Sequence, residues 1–292
     1  MANGAVCFPH LMGRFSLKVF VGGLPSSVPS EVFHEVFRSY GDVVCEWPKS
    51  SKESTKGYAF LLYENERSVR QLVGSCVCRD GNYRLFVAPH DQSSNGHWVQ
   101  VRPWRLADSD FVLERRYLCR PANIRQTVFV GGIPRPLTAK NVAHRMEALF
   151  GNVCYAGIDI DPDTRYPKGA GRVTFLCQKS YLSALQQRHV QLFMTTEASR
   201  VNRSFHAEIK PYVLDDQPCD ECLSESGPFF CTDMGCLQYF CAHCWRRFHP
   251  NGSQAASHRS LRKDESQAPT VVGRVLEAME ADGGDARLPK AD

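Results

Sequence analysis

Apolar and polar residues alternate along Lys18-Val19-Phe20-Val21-Gly22-Gly23, with the valines on one parity, which is the two-residue period of a half-buried strand. The period then changes. Over Pro29–Ser39 the residues Val32, Phe33, Val36 and Phe37 recur at helical spacing, with Pro29 suited to a first turn and Gly41 just past the end. Asp42–Trp47 and Gly57–Tyr63 read as strands, Glu64–Leu72 as a second helix and Trp98–Trp104 as a fourth strand. Ser75–His97 is longer than such a unit needs, and Tyr83–Ala88 suits an extra edge hairpin. The order then repeats over Thr127–Gly132, Asn141–Phe150, Val153–Ile160, Gly171–Phe175, Gln178–Arg188 and Ala207–Val213. Two βαββαβ units predict an α+β chain of two ferredoxin-like domains, each a four-stranded antiparallel sheet with two helices on one face.

The predicted divisions are an extension over 1–16, a first unit over 17–105, a linker over 106–125, a second unit over 126–214, a cysteine-rich segment over 217–262 and a disordered tail over 263–292. Leu106–Gln126 reads as too polar for a core and holds Arg115-Arg116. The tail bears Gly, Asp and Lys, with a short helix expected at Val271–Ala281.

Strand alternation assigns faces. In Lys56-Gly57-Tyr58-Ala59-Phe60-Leu61-Leu62-Tyr63, Ala59, Leu61 and Tyr63 point toward the helices, leaving Lys56, Tyr58 and Phe60 outward beside Phe20. That octamer fits the RNA-recognition-motif (RRM) pattern, with Leu61 for the usual Val. Bases stack on such rings for about 1–3 kcal/mol each, and Lys56 can meet a phosphate. Gln100, Arg102 and Trp104 share the outward parity, and Trp47 is a further candidate. In the second unit, Lys168-Gly169-Ala170-Gly171-Arg172-Val173-Thr174-Phe175 keeps the frame but replaces both outward aromatics. Phe129, Lys168, Arg172, Lys210 and Tyr212 remain as its RNA candidates, and a tether of ~20 residues would let even a weak second module add avidity.

A net charge of +4 on 292 residues permits nucleic acid without demanding it, and the 43% hydrophobic share is that of a globular chain. No apolar run reaches the ~18 residues of a membrane span, and Met1 is not followed by a signal-peptide pattern. A cytoplasmic protein with no membrane partner and no small-molecule substrate is expected. Six of the thirteen cysteines crowd between Cys219 and Cys244, and thiols clustered so in a reducing compartment hold metal. With His249 and His258 they make eight donors, enough for two Zn²⁺ ions. Interleaved pairing gives Cys219, Cys222, Cys241 and Cys244 to one ion and Cys231, Cys236, His249 and His258 to the other. A segment this small needs the metal to fold.

Two enzyme readings fall to spacing. His206-Ala207-Glu208 followed by Pro218-Cys219-Asp220-Glu221-Cys222 spells the zinc-deaminase signature, but leaves no room for the strand between two helices which that chemistry requires. Cross-braced zinc also occurs in RING ubiquitin ligases, but the Cys-x-His step is missing. No catalytic residues are therefore assigned. An interaction adaptor that binds protein on its sheets remains as an alternative.

Val99-Gln100-Val101-Arg102-Pro103-Trp104, Asp108-Ser109-Asp110-Phe111, Tyr155-Ala156-Gly157-Ile158-Asp159, Tyr166–Arg172 and Pro228-Phe229-Phe230-Cys231 together resemble the RNA-binding region of the cytoplasmic polyadenylation element-binding protein family, from about Leu17 to His258. The resemblance implies tandem RRMs with a ZZ-type zinc module. It also implies binding to single-stranded U-rich elements in messenger RNA 3′ untranslated regions, and control of poly(A) tail length and translation through recruited polyadenylation and translation-control proteins. Nuclei and ribonucleoprotein granules are further implied locations. The family carries a long low-complexity N-terminal region, whereas this sequence begins almost at its first unit, so binding without recruitment, or regulation by competition, is also expected.

Overall fold

A computed structural model describes residues 13–25, 29–48, 57–79, 81–88, 96–113, 123–196, 199–250 and 258–262. Lys56, Arg115-Arg116 and the tail with its expected helix lie outside the described residues. The first unit runs β1 (Lys18–Gly22), α1 (Ser30–Arg38), β2 (Val43–Glu46), β3 (Tyr58–Tyr63), α2 (Glu66–Gly74), β4 (Val77–Arg79), β5 (Asn82–Val87) and β6 (His97–Arg102). Its sheet has six strands rather than the expected four, in the order β2-β3-β1-β6-β5-β4, because the predicted hairpin pairs onto β6 and widens it. Val19, Val21, Ala59, Leu61, Val99 and Val101 face Phe33, Phe37, Val69 and Leu72 of the helices, and all are buried. Tyr63 can sit in that core because its hydroxyl donates to the Phe37 carbonyl at 3.0 Å. Asn65 starts α2 by accepting the Ser68 amide hydrogen bond.

The second unit follows the same path and also gains edges. It comprises β7 (Asp110–Val112), β8 (Thr127–Gly131), α3 (Ala139–Phe150), β9 (Val153–Ile160), β10 (Pro167–Phe175), α4 (Gln178–Gln187), β11 (His189–Thr196) and β12 (Ser199–Pro211), in the sheet order β11-β12-β8-β10-β9-β7. The reciprocal Thr138–Asn141 capping box fixes the start of α3. The expected polar linker is corrected here. Its Asp110–Val112 pairs with β9, and Leu106, Phe111 and Leu113 pack on the second core, because apolar residues recur within an otherwise polar stretch.

Residues 14–17 are likewise no loose extension. Phe15 is buried in the first core, and Leu106 donates its amide to the Arg14 carbonyl at 2.8 Å. Ser16 donates its amide to the Trp104 carbonyl, while Leu17 donates to the Thr164 carbonyl in the second unit, both at 2.9 Å. The Ser16 hydroxyl also donates to Thr164 at 2.8 Å. The two units are thus docked through the Leu17 amide and the Ser16 hydroxyl, both on the Thr164 carbonyl, rather than merely tethered.

The last unit holds β13 (Phe229–Cys231), β14 (Tyr239–Phe240), α5 (Ala242–Phe248) and β15 (Ser260–Leu261), with the strand order β14-β13-β15. It docks on the second unit. Arg125 donates to Asp220 at 2.6 Å and to Gln217 at 3.0 Å, and Tyr239 accepts the Leu214 amide at 2.9 Å.

Candidate nucleic-acid interface and metal centre

Phe20, Tyr58 and Phe60 stand together on the helix-free face of the first sheet because Phe20 pairs in register with Phe60, and Gly22 with Tyr58. The Phe20 ring lies 5.7 Å from Tyr58, stacked, and 5.5 Å from Phe60, edge to face. Gly22 makes this pose possible: a Cβ there would sit 2.9 Å from Phe20 Cε1, so only glycine lets the ring lie along its own strand. Phe129 rests on Gly131 in the same way in the second sheet.

Cations rim the cluster. The Lys18 ammonium lies 5.0 Å from the Phe60 centroid and the Arg102 guanidinium 5.3 Å from that of Phe20. Arg102 also donates to Gln100 at 2.8 Å, while Lys18 is paired with Glu46 at 2.5 Å. Sequence reasoning missed Tyr166. From the second unit its ring meets Phe60 edge to face at 5.8 Å, and its phenol is pushed upward by burial against the pull of Arg135 and Arg102. Arg203 is a further charged neighbour of Arg102. Lys18, Arg102, Arg135 and Arg203 thus gather near these rings, and Tyr58 keeps 37% of its surface exposed.

Four expected base contacts have other positions. Trp47 lies on the helix side, 6.4 Å from the Phe33 ring. Trp104 is 6% exposed inside the second core, its indole donating to Ser109 at 3.2 Å. Tyr212 is buried. Arg172 has the outward parity but is 5% exposed, donating to Asp159 at 2.8 Å and to the Tyr155 hydroxyl at 3.3 Å, while that hydroxyl donates to Asp110 of β7. Its planar fork is engaged by the protein itself. Among the remaining candidates Lys168 is exposed, Phe129 is half-buried on the open face, and Lys210 is paired with Glu208 at 2.8 Å.

The cysteines and histidines of the last unit fall into two groups, Cys219, Cys222, Cys241 and Cys244, and Cys231, Cys236, His249 and His258. In each group the donor atoms lie within 4.8 Å of one another. That is the interleaved pairing expected from sequence. Cys231 Sγ lies 3.4 Å from His258 Nδ1 and Cys236 Sγ 3.9 Å from His249 Nε2. A tetrahedral zinc with its usual bond lengths separates such donors by roughly 3.6 Å, so thiolates and imidazoles so placed fit the ion. Hydrogen bonds from Ser224 draw the Cys222 thiol down to about 6, whereas burial pushes Cys231 and Cys244 up to about 12. A cation would therefore bind by displacing protons from the buried thiols. His206 and Glu208 lie on β12, and His206 joins neither group, so the deaminase letters form no catalytic constellation.

The repeated βαββαβ sheets, one bearing the stacking rings, and the cross-braced donor groups define an RRM protein with a ZZ-type zinc module. The RNA recognition motif family matches residues 16–103, and the cytoplasmic polyadenylation element-binding protein ZZ domain matches residues 206–264. Translational regulator orb2 of Drosophila melanogaster is 45% identical over 268 residues, covering 89% of this chain and 36% of that protein. Cytoplasmic polyadenylation element-binding protein 1 of Caenorhabditis briggsae is 40% identical over 271 residues, covering 85% of the chain and 44% of that protein. The chain belongs to the cytoplasmic polyadenylation element-binding protein family. It spans less than half the length of these curated relatives. Among solved structures, a Sex-lethal protein–RNA complex shares 14% identity over 68% of this chain and 99% of its own, with a TM-score of 0.24, a likeness too slight to carry argument.

Proposed function

We propose that the chain binds single-stranded U-rich elements in messenger RNA 3′ untranslated regions and thereby controls cytoplasmic polyadenylation and translation through recruited proteins, with no catalysis of its own. The observation that carries this reading is the ring cluster of Phe20, Tyr58 and Phe60, open on its sheet and rimmed by Lys18 and Arg102. Flat rings stack on unpaired bases and the cations meet phosphates, which together suit a flexible single strand. Tyr166 extends the platform into the second unit, where Phe129 and Lys168 continue it; Gln100 supplies a hydrogen-bonding edge. The preference for uridine and the translational outcome rest on family membership. Two Zn²⁺ ions would hold the ZZ module as cross-links rather than as reagents. Among the described residues no helix is long and apolar enough to cross a membrane, and a cytoplasmic setting follows from the role.

Fluorescence anisotropy with the zinc-loaded chain and labelled U-rich and C-rich RNAs tests this. U-rich RNA is expected to bind more tightly, and the joint substitution Phe20→Ala with Phe60→Ala to weaken it at least about thirtyfold, from two lost stacks. Equal affinity for both RNAs, or an unaffected double variant, would refute the reading in favour of a protein-binding adaptor.

A further inference from the structure

We propose that the extra hairpin of the first sheet carries a second base-stacking site, formed by Phe86 and Trp98 beside Arg84, that lengthens the stretch of single-stranded RNA this chain holds. The inference rests on the RNA reading above and extends the same face of the same sheet.

The register fixes the placement. β5 pairs with β6, setting Phe86 opposite Trp98 and Arg84 opposite Gln100. Tyr83, Leu85 and Val87 are buried toward the helices, so alternation turns Arg84 and Phe86 to the face that bears Phe20. The two rings stand 5.3 Å apart and remain 50% and 54% exposed. Phe86 lies against Gly96, just before the neighbouring β6, where a Cβ would come within 2.3 Å of its Cζ. Two large rings exposed at a sheet face contribute little to the core, and, tilted 59° to each other, they offer aromatic surface to a planar ligand.

Position and charge favour RNA as that ligand. Tyr58, Gly22, Gln100 and Arg84 form one row across β3, β1, β6 and β5. Trp98 lies two strands across and two residues along from Tyr58, roughly 12 Å away by strand spacing and rise. A single strand leaving the first platform can reach it. Over β4, β5 and β6 the outward positions include Arg79, Arg84 and Arg102 and no carboxylate, while Lys18 of β1 is paired with Glu46 at the far edge. A polyanion with stackable bases matches cations and rings together.

The test compares anisotropy of the full zinc-loaded chain on a short U-rich RNA and on the same RNA lengthened at its 5′ or its 3′ end. Lengthening at one end is expected to tighten binding about tenfold, the scale of one stacked base. Joint substitution of Phe86→Ala and Trp98→Ala removes that gain and leaves the short RNA within about twofold, since both side chains lie outside the core. Trp98→Phe retains most of the gain. In the unsubstituted chain the longer RNA quenches tryptophan emission, and in Trp98→Phe that quenching is lost. A double variant that holds the longer RNA as tightly as the parent overturns the inference, as does a parent that gains nothing at either end. So does a double variant whose only change is a lost self-association or protein partner. In each of these cases the loss of short-RNA binding on replacing Phe20 and Phe60 leaves the wider RNA reading standing. If the parent binds neither RNA, both readings fail.

Discussion

Trp104 is a ring that builds the protein, in contrast to the rings proposed to read RNA. It follows β6 of the first unit, yet its indole lies inside the second core and is 6% exposed. Replacing it with alanine removes a large buried side chain from packing that can close only partly, which costs about 3–5 kcal/mol. The Ser109 hydroxyl, which accepts from the indole at 3.2 Å, is stranded as well, at a cost of about 1 kcal/mol. Trp104→Phe keeps most of the packed volume and should lose only about 1–2 kcal/mol. Domains of this size are held by only about 5–15 kcal/mol, so the alanine variant should lower the urea midpoint sharply. Amide exchange should place the loss at Val128 and Val130 before Val19 and Val21. RNA affinity, measured cold enough to keep the variant folded, should stay within about twofold. A stability change below about 1 kcal/mol, accompanied by a tenfold loss of RNA affinity, would show that the ring contacts a base and that the packing argument is wrong.

Arg172→Ala should destabilise the second unit by about 2–3 kcal/mol, somewhat less than a fully buried pair because Asp159 is partly exposed. Arg172→Lys should not fully restore it, since lysine lacks the planar fork whose two separate nitrogens reach Asp159 and Tyr155; thermal unfolding of the two variants checks this, with RNA affinity expected unchanged. A zinc chelator should abolish amide protection over β13, β14 and β15 while β1 and β3 keep theirs, and unchanged protection would deny the metal its folding role. The Asp161 carboxylate is held below the ordinary aspartate range, first by the hydrogen bond from the Thr164 amide. Its contribution is therefore complete above the unfolded value and lost as pH falls through the lower folded one. Below about pH 3.9 the Thr164 amide resonance should titrate with Asp161, and in Asp161→Asn that titration should vanish.

Three of the four displaced candidates have a common position. Trp47, Trp104 and Tyr212 all lie just past a strand end, after Glu46, Arg102 and Pro211 respectively. Alternation assigns a face only while the pleat lasts, and one or two residues beyond it the side chain follows the turn. Phe20, Tyr58 and Phe60 lie inside β1 and β3, where parity holds, and their outward placement was readable locally. Arg172 also lies inside its strand, but the partners that cover it come from β9 and from a segment read as linker. The donor pairs of the zinc module were legible because their spacing is itself the signal. Tyr166 gave no such signal: its meeting with Phe60 exists only once two sheets have docked, which no local pattern encodes.

The hydrogen bonds from Ser16 and Leu17 to Thr164 have one further effect. Beads on a string surrender their independent tumbling when a ligand gathers them, and that loss opposes association. A pair already clasped has met this entropic charge during folding. Its two sheets meet before any ligand does, so a single strand bound as proposed would have to curve to fit them.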